Sequence, residues 1–196
     1  MDAIGDFLGG IDAFDLLVFV GCFGAFVAGY IQGTIRRLLG IASMAFSFLL
    51  AAWLKDPAGD FLAQNWTQWP RQYSEMVGFL TVFGAAVVAF TIVIQGTYRK
   101  STLLSEHPVV DEAVGGLLGV LQAALLLLFV TIVLDSFFLF RQIPAQDNEL
   151  PFLRTFWTAL DTSATGAYLH VTFIPGLLSI VGFFVPESIR ALYRGA

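Results

Sequence analysis

Five long stretches of this chain contain no Asp, Glu, Lys or Arg: 16–35, 38–54, 76–98, 113–134 and 162–186. The hydrocarbon core of a bilayer is about 30 Å thick, and about 20 apolar residues of α-helix cross it. A helix on the surface of a soluble protein would carry charges on its outer face. Because the first four stretches are rich in Leu, Val, Phe, Ala and Ile, the sequence predicts an integral membrane protein with four spanning helices.

The composition argues against several classes of partner. Of the 196 residues, 57% are hydrophobic and 13% are charged, and the net charge is −5. This balance argues against nucleic acid and against a polybasic lipid-binding tail. The single cysteine, Cys22, rules out an internal disulfide and is interpreted as a small apolar packing residue. The acidic N-terminus lacks the positive region of a signal peptide, so we expect the first helix to be retained.

The four spans form one predicted membrane domain, 14–141, which follows an acidic lead at 1–13. We expect its helices at about 14–32, 38–54, 73–98 and 110–140. The second helix is expected to end at Lys55-Asp56-Pro57, because proline and charge both oppose continuation. The predicted fold class is therefore all-α, an integral membrane four-helix bundle.

The remaining segment, 142–196, differs in kind. Apolar residues recur at helical spacing in its first part, which is typical of an amphipathic helix lying in the membrane interface. The stretch 162–186 begins with polar residues and is interrupted by Pro175-Gly176. Whether this stretch spans, re-enters or lies in the interface is left open. The apolar positions of the amphipathic pattern are Phe152, Leu153, Phe156, Trp157 and Leu160.

Basic residues divide evenly between the two sides of the predicted bundle. Arg36, Arg37, Arg99 and Lys100 lie on one side, and Lys55, Arg71, Arg141 and Arg154 lie on the other. The first helix breaks the tie, because no basic residue precedes it and two arginines follow it. The positive-inside rule then places the N-terminus outside and the turn after helix one in the cytoplasm.

Small residues recur four apart on the predicted spans, which keeps them on one face of each helix. In lipid, close backbone approach through such residues is the main way that helices associate. We expect helices one and four to lie closest together, although the same faces could instead serve a homo-oligomer. The residues are Gly21, Ala25, Gly29 and Gly33 on helix one and Gly115, Gly119 and Ala123 on helix four.

Polar side chains in the spans lie mainly near their ends. An antiparallel arrangement places Asp15 and Asp135 on the same side of the membrane, where we interpret them as carboxylates in contact with water. A polar mouth or an ion site is the alternative. Gln32, Gln95 and Gln122 lie nearest the cytoplasmic thirds of the spans. Interhelical hydrogen bonding is expected of such amides, and a conduction path is the alternative.

No arrangement of residues in the sequence indicates catalysis. His107 and His170 lack a Cys or a carboxylate at metal-ligand spacing. The sequence also lacks a phosphate-binding glycine loop and a nucleophile elbow. We therefore predict no catalytic residue, no metal, no cofactor and no small-molecule substrate. The expected partners are the lipid bilayer and a second copy of the chain or another membrane protein.

Three motifs resemble the colicin V production protein family. Asp15 is followed by Gly33 and Arg36, the pattern Asp111-x-x-x-Gly115-x-x-x-Gly119 opens helix four, and Leu134-Asp135-Ser136-Phe137 closes it. The resemblance covers roughly residues 11–160. It implies a multispanning protein of the bacterial inner membrane that is associated with the production or export of the toxin colicin V. The family has no established molecular activity.

The chain departs from the family pattern at four positions. Family members often have arginine where Gln32 and Gln122 stand, so any function of those arginines is absent here. They often have Glu at position 37 and Arg at position 112, so the acid and the base are exchanged together in this chain. A direct ion pair tolerates such an exchange. We therefore expect an interhelical ion-pair cluster that ties helix one to helix four, formed by Arg36, Arg37, Asp111 and Glu112.

The sequence thus favours a non-enzymatic inner-membrane protein that supports colicin V-type toxin production or secretion, as part of a homo-oligomer or a complex. The alternative is an oligomeric small channel or transporter subunit. The polar wall of such a channel would come from Gln32, Gln95, Gln122, Thr81, Thr91 and Thr131.

Overall fold

The computed structural model describes residues 12–97, 108–138 and 149–176. Within these ranges the chain is helical and contains no strand. The four long helices are α1 (Ala13–Gln32), α2 (Thr34–Asn65), α3 (Arg71–Thr97) and α4 (Pro108–Phe138). Each contains a segment that is long and apolar enough to cross a membrane. The all-α fold with four membrane-spanning helices is therefore confirmed.

A single residue, Gly33, separates α1 from α2. Its φ of +78° lies in the left-handed region, which glycine adopts without the steric cost that other residues carry. Its N–H donates to the carbonyl oxygen of Gly29 at 2.9 Å and closes α1. The turn after helix one, predicted to fill the gap between residues 32 and 38, is therefore a single residue, and Arg36 and Arg37 belong to the first turn of α2.

The predicted end of helix two at Lys55-Asp56-Pro57 is wrong, because α2 runs through Pro57 to Asn65. Contacts with α3 stabilise this extension. A Cβ added to Gly59 would lie 2.8 Å from Cγ of Glu75, so the two helices approach closely there. Arg71 then donates from Nη2 to Oδ1 of Asp60 at 2.9 Å. Tertiary packing of this kind outweighs the local cost of a proline in a helix.

The chain divides into two compact units. The central unit consists of the described residues within 21–129, and the terminal unit consists of those within 1–20 and 130–196. Aromatic rings form part of the core of the central unit. The rings of Phe48 and Phe129 stack with centroids 4.4 Å apart, and Phe79 and Phe83 meet Phe48 edge-on at 5.3 and 6.0 Å. These are the geometries that aromatic pairs prefer.

The terminal unit combines the start of α1 and the end of α4 with the C-terminal helices. These are α5 (Pro151–Thr162), α6 (Ala164–Tyr168) and a π-helical turn at Leu169–Phe173. The predicted C-terminal helical segment is therefore present. Residues 1–11 of the acidic lead and residues 177–196 lie outside the described part of the chain. The choice between spanning, re-entrant and interfacial placement for 162–186 consequently stays open.

Candidate functional site

Within the central unit, α1 and α4 cross at backbone distance. A Cβ added to Gly29 would lie 2.2 Å from the carbonyl oxygen of Gly115, and one added to Gly119 would lie 2.2 Å from that of Ala25. Only glycine leaves room for such an approach. The structure thus brings five of the predicted packing residues together: Ala25, Gly29, Gly33, Gly115 and Gly119.

The other two predicted packing residues lie differently. Apart from the neighbouring backbone of its own helix, no atom of the described chain lies within 4 Å of a Cβ added to Gly21. Ala123 is half-buried on α4. The α1–α4 crossing therefore uses the last three of the four small residues predicted on helix one.

A polar pocket, here called the arginine pocket, lies in the central unit where its four helices meet. Its polar lining consists of Gln32, Arg36, Arg37, Thr91 and Gln122, and Gly40 and Ile94 complete the wall. The cavity measures about 90 Å³, several times the roughly 10–15 Å³ that one water molecule needs. Among these lining residues there are two guanidinium groups and no carboxylate.

Arg37 of α2 is hydrogen-bonded to a residue of α4 that also lines the arginine pocket. Its Nη1 donates to Oε1 of Gln122 at 2.9 Å. Its Nε is buried and has no hydrogen-bond partner in the described part of the chain. The structure thus gives Arg37 an amide of α4 as its partner. The predicted pairing of Arg36 and Arg37 with Asp111 and Glu112 stays a prediction.

Asp111 joins the start of α2 to α4 in another way. The hydroxyl of Thr34 donates to the backbone carbonyl of Asp111 at 2.9 Å. The Asp111 side chain is buried, and its Oδ2 lies 2.9 Å from the position that a Cβ on Gly33 would occupy. A glycine at position 33 therefore allows both the positive φ and the close approach of this carboxylate.

A second polar cluster, the carboxylate dock, lies in the terminal unit and centres on Asp135. The Asp135 side chain is fully buried and accepts two hydrogen bonds from the C-terminal segment. Trp157 of α5 donates from Nε1 at 3.0 Å, and His170 of the π-helical turn lies with Nε2 at 2.8 Å. Asp135 is thus enclosed by protein, whereas the sequence suggested a carboxylate in contact with water.

Asp15 binds the same C-terminal segment at the start of the short helix α6. It accepts hydrogen bonds from the backbone N–H and the hydroxyl of Thr165, at 2.8 and 2.6 Å, and from the N–H of Ala164 at 3.3 Å. These donors lie at the start of α6, where a carboxylate compensates unpaired N–H groups. Asp15 and Asp135, one on each of two spans, therefore both hold the segment that follows the spans.

The hydrogen bond with Asp135 raises the pKa of His170 above its ordinary value of 6.5. Partial burial opposes this shift because it disfavours the charged imidazolium. The negative charges of Asp135 and Asp161 add to the rise. The net effect favours a protonated His170, so the pair with Asp135 carries ionic character over a wider pH range than a free histidine would allow.

Apolar contacts complete the carboxylate dock. Phe156 of α5 meets Phe14 edge-on with centroids 5.3 Å apart, and Trp157 lies over Phe138 at 5.4 Å. The guanidinium carbon of Arg154 lies 4.9 Å from the centre of the Phe138 ring, within cation–π range. The apolar face of α5 therefore packs against the ends of α1 and α4.

The partners of the two carboxylates were not predicted from the sequence. The available signal was chemical, since a carboxylate at the end of an apolar helix requires hydrogen-bond donors. The chain that follows α4 offers donors at Trp157, Thr165 and His170. Of the three predicted amides, Gln32 and Gln122 line the arginine pocket. The side chain of Gln95 lies outside the described part of the structure.

A family model described as the colicin V production protein matches residues 14–169. The match begins at the second residue of α1, covers the rest of the four candidate spans, α5 and α6, and ends at the first residue of the π-helical turn. No match was found among curated proteins or among solved structures. The matched family is not a known enzyme family. With most of its length matched and four apolar helices of spanning length, this chain is a membrane protein that belongs to the colicin V production protein family.

Proposed function

We propose that this chain is a non-enzymatic protein of the bacterial inner membrane that supports the production or secretion of a colicin V-type toxin. It acts as part of a homo-oligomer or of a complex with another membrane protein. The family match carries this proposal, because it includes the spans and the helices α5 and α6 of the C-terminal segment.

The exposed surface of the spans supports the assembly part of the proposal. In the most apolar 18-residue stretch of α1, only 11% is buried within the chain, compared with 39% for the corresponding stretch of α4. Lipid tails can cover such a surface, and so can the helices of a second copy. Large apolar side chains are exposed on α1 in particular: Leu16, Leu17, Phe19, Val20 and Phe23.

The bonding of the carboxylate dock supports a non-enzymatic role. Nucleophilic catalysis by a carboxylate–histidine pair needs a hydroxyl or thiol within hydrogen-bond reach of the imidazole. In the described part of the chain, the hydrogen bond of His170 goes to Asp135. The pair therefore joins two helical segments, which is a structural use of a carboxylate and a histidine.

The toxin itself provides the test. In a bacterium that makes colicin V, the host's own gene of this family is deleted, and the gene for this chain is supplied in its place. Toxin activity is then measured in the medium and inside the cells. Loss from both fractions indicates a role in production, and loss from the medium with accumulation inside indicates a role in secretion. Unchanged toxin in both fractions after deletion would contradict the proposal.

A mass measurement tests the assembly part. The purified protein is placed in lipid nanodiscs, and its mass is determined by native mass spectrometry. We expect two or more copies, or a reproducible protein partner, per disc. A single copy without a partner at every protein concentration would contradict the assembly, while the toxin experiment would still decide the role.

A channel or transporter subunit is the second candidate, and the arginine pocket favours it. Three residues of the expected polar wall, Gln32, Thr91 and Gln122, meet there. Ion flux into liposomes that contain the purified protein tests this function. Conduction that falls with Gln122→Leu supports it, and Thr158→Val is the control, because Thr158 is not part of the expected wall and its hydroxyl donates to the carbonyl of Arg154 in its own helix at 2.9 Å.

A further inference from the structure

We infer that the arginine pocket binds a phosphate-type oxyanion, supplied either by the headgroup of an anionic lipid or by free phosphate. The inference rests on the lining, the cavity and one open hydrogen-bond donor. It goes beyond the proposed function and does not depend on it.

The charge of the lining selects for anions. Arg36 and Arg37 both line the cavity, and no carboxylate is among the lining residues. Two cations close to a span attract a counterion strongly, because screening by water is weak there. Arg36 has a further interaction in the chain, so its part in the pocket is the positive charge that it brings to the lining, while Arg37 supplies the open donor.

Arg37 has a donor that the described chain does not use. Its Nη1 is engaged with Gln122 at 2.9 Å, which fixes the direction of the guanidinium. Its Nε is buried without an acceptor, and a buried donor left unpaired is costly. The planar fork of arginine matches two oxygens of a phosphate or a carboxylate at once. An oxyanion in the pocket would satisfy this donor.

Neutral groups around the arginines can complete the hydrogen bonding. Gln32 and Thr91 present an amide and a hydroxyl on the same lining, and both can donate to an oxyanion. A Cβ added to Gly40 would lie 3.0 Å from the amide nitrogen and oxygen of Gln122. Glycine at position 40 therefore leaves Gln122 the room to hold Arg37.

The position of the pocket suggests a lipid headgroup as one source of the oxyanion. The positive-inside rule places the start of α2 on the cytoplasmic side. Basic pockets between spans on that side bind acidic headgroups. Asp111 lies near the start of α2, against Gly33, and its carboxylate competes with an anion for the positive charge. Because Arg37 supplies the open donor, it is the residue on which binding should depend most.

The test measures anion binding to the full chain. Native mass spectrometry records phosphatidylglycerol bound to the protein released from nanodiscs of phosphatidylcholine with and without that lipid. In a separate arm, the unfolding temperature of the protein in a neutral detergent is followed as inorganic phosphate is added, with chloride at equal ionic strength as the reference. Lipid binding alone indicates the headgroup source, and stabilisation by phosphate indicates the free ion.

The variants identify the site. We expect Arg37→Gln to weaken the observed binding about tenfold, since it removes charge-assisted hydrogen bonds. Arg71→Gln is the matched control, because Arg71 is an exposed arginine paired with Asp60 and Glu75, and its loss should leave binding unchanged. Ile94→Trp keeps both charges but fills the cavity, so it should also weaken binding. This variant decides the case if Arg37→Gln does not fold.

Several outcomes would overturn the inference. One is that the wild-type protein binds neither probe above the reference, which leaves a cavity that holds only water. Another is that Arg37→Gln and Arg71→Gln weaken binding equally, which indicates attraction to surface charge. A third is that Ile94→Trp folds and binds as tightly as the wild type.

Discussion

At the residue scale, the most consequential side chain is Asp135, which is buried at the end of an apolar helix and bonded to two residues of the C-terminal segment. A carboxylate in such a place is costly unless its partners are kept. Its burial therefore makes the C-terminal segment part of the fold of the spans. The positions of Asp15 and Asp135 in the sequence predict that they lie on the same side of the membrane. They carry no information about the two partners of Asp135, which lie 22 and 35 residues after it in the chain.

Replacing Asp135 with asparagine should release the C-terminal segment. The amide retains the shape of the carboxylate but loses its charge and one acceptor, and breaking a buried charged pair costs roughly 3–5 kcal/mol. Hydrogen exchange of the backbone amides in 151–173, measured in detergent, should accelerate. Asp161→Asn is the control, since Asp161 is exposed and affects His170 through charge alone. Equal exchange rates in Asp135→Asn and the wild type would contradict a holding role.

The pairing of His170 predicts a pH dependence with a definite sign. Because its pKa in the folded protein is raised above 6.5, the stabilisation is complete below that value and is lost as the pH rises through the folded pKa. Asp135 of α4 and Asp161 of α5 are the charged groups that act on it. Amide protection of α6 and the π-helical turn, corrected for intrinsic exchange, should therefore fall above pH 6.5. In His170→Gln this fall should disappear; a fall that persists in the variant would assign it to another group.

At the element scale, the long helices follow from composition, but their ends do not. Apolar runs of about 20 residues predict the spans, and all four are present. The continuation of α2 through Pro57 depends on α3, since Gly59 and Gly78 allow the two helices to approach closely. A proline interrupts a helix through local geometry, whereas its tolerance is decided by contacts between residues far apart in the sequence.

The α1–α4 crossing predicts a contrast between two glycines of one helix. Gly29→Ala places a methyl group against the Gly115 carbonyl, where a Cβ would lie at 2.2 Å, and forced overpacking typically costs about 1–3 kcal/mol. The methyl group of Gly24→Ala meets no atom of the described chain within 4 Å, apart from the neighbouring backbone of its own helix. This substitution should be neutral or slightly stabilising, because alanine favours a helix by about 1 kcal/mol over glycine. The unfolding temperature in detergent should therefore fall for position 29 alone.

The same pair of variants distinguishes packing within one chain from packing between copies. If the glycine face joins two copies, Gly29→Ala should change the mass of the assembly in nanodiscs and leave the stability of the monomer intact. A lower unfolding temperature at unchanged mass supports the intramolecular crossing. Equal unfolding temperatures for Gly29→Ala and Gly24→Ala would rule out the close approach.

At the scale of the whole molecule, the membrane explains what the chain leaves exposed. A soluble protein could not present so many large apolar side chains to water, yet Leu17, Phe19 and Phe23 are each more than half exposed on α1. Composition alone predicts this surface. The polar clusters require three-dimensional contacts, because Arg37 and Gln122 are 85 residues apart, and Asp15 and Thr165 are 150 apart.

The orientation of the chain across the membrane is a property of the whole molecule. It can be tested by cysteine labelling, because only one native cysteine has to be removed first. In a Cys22→Ser background, one new cysteine is introduced either at Gln68, between α2 and α3, or at Thr97, at the exposed end of α3. With the N-terminus outside, two crossings return the chain to the outside before Gln68. A membrane-impermeant maleimide should therefore label position 68 in intact spheroplasts and position 97 only after permeabilisation. The reverse pattern would invert the topology. In the predicted orientation, four crossings leave the C-terminal segment outside, so the pH response of His170 would report the acidity of the external side.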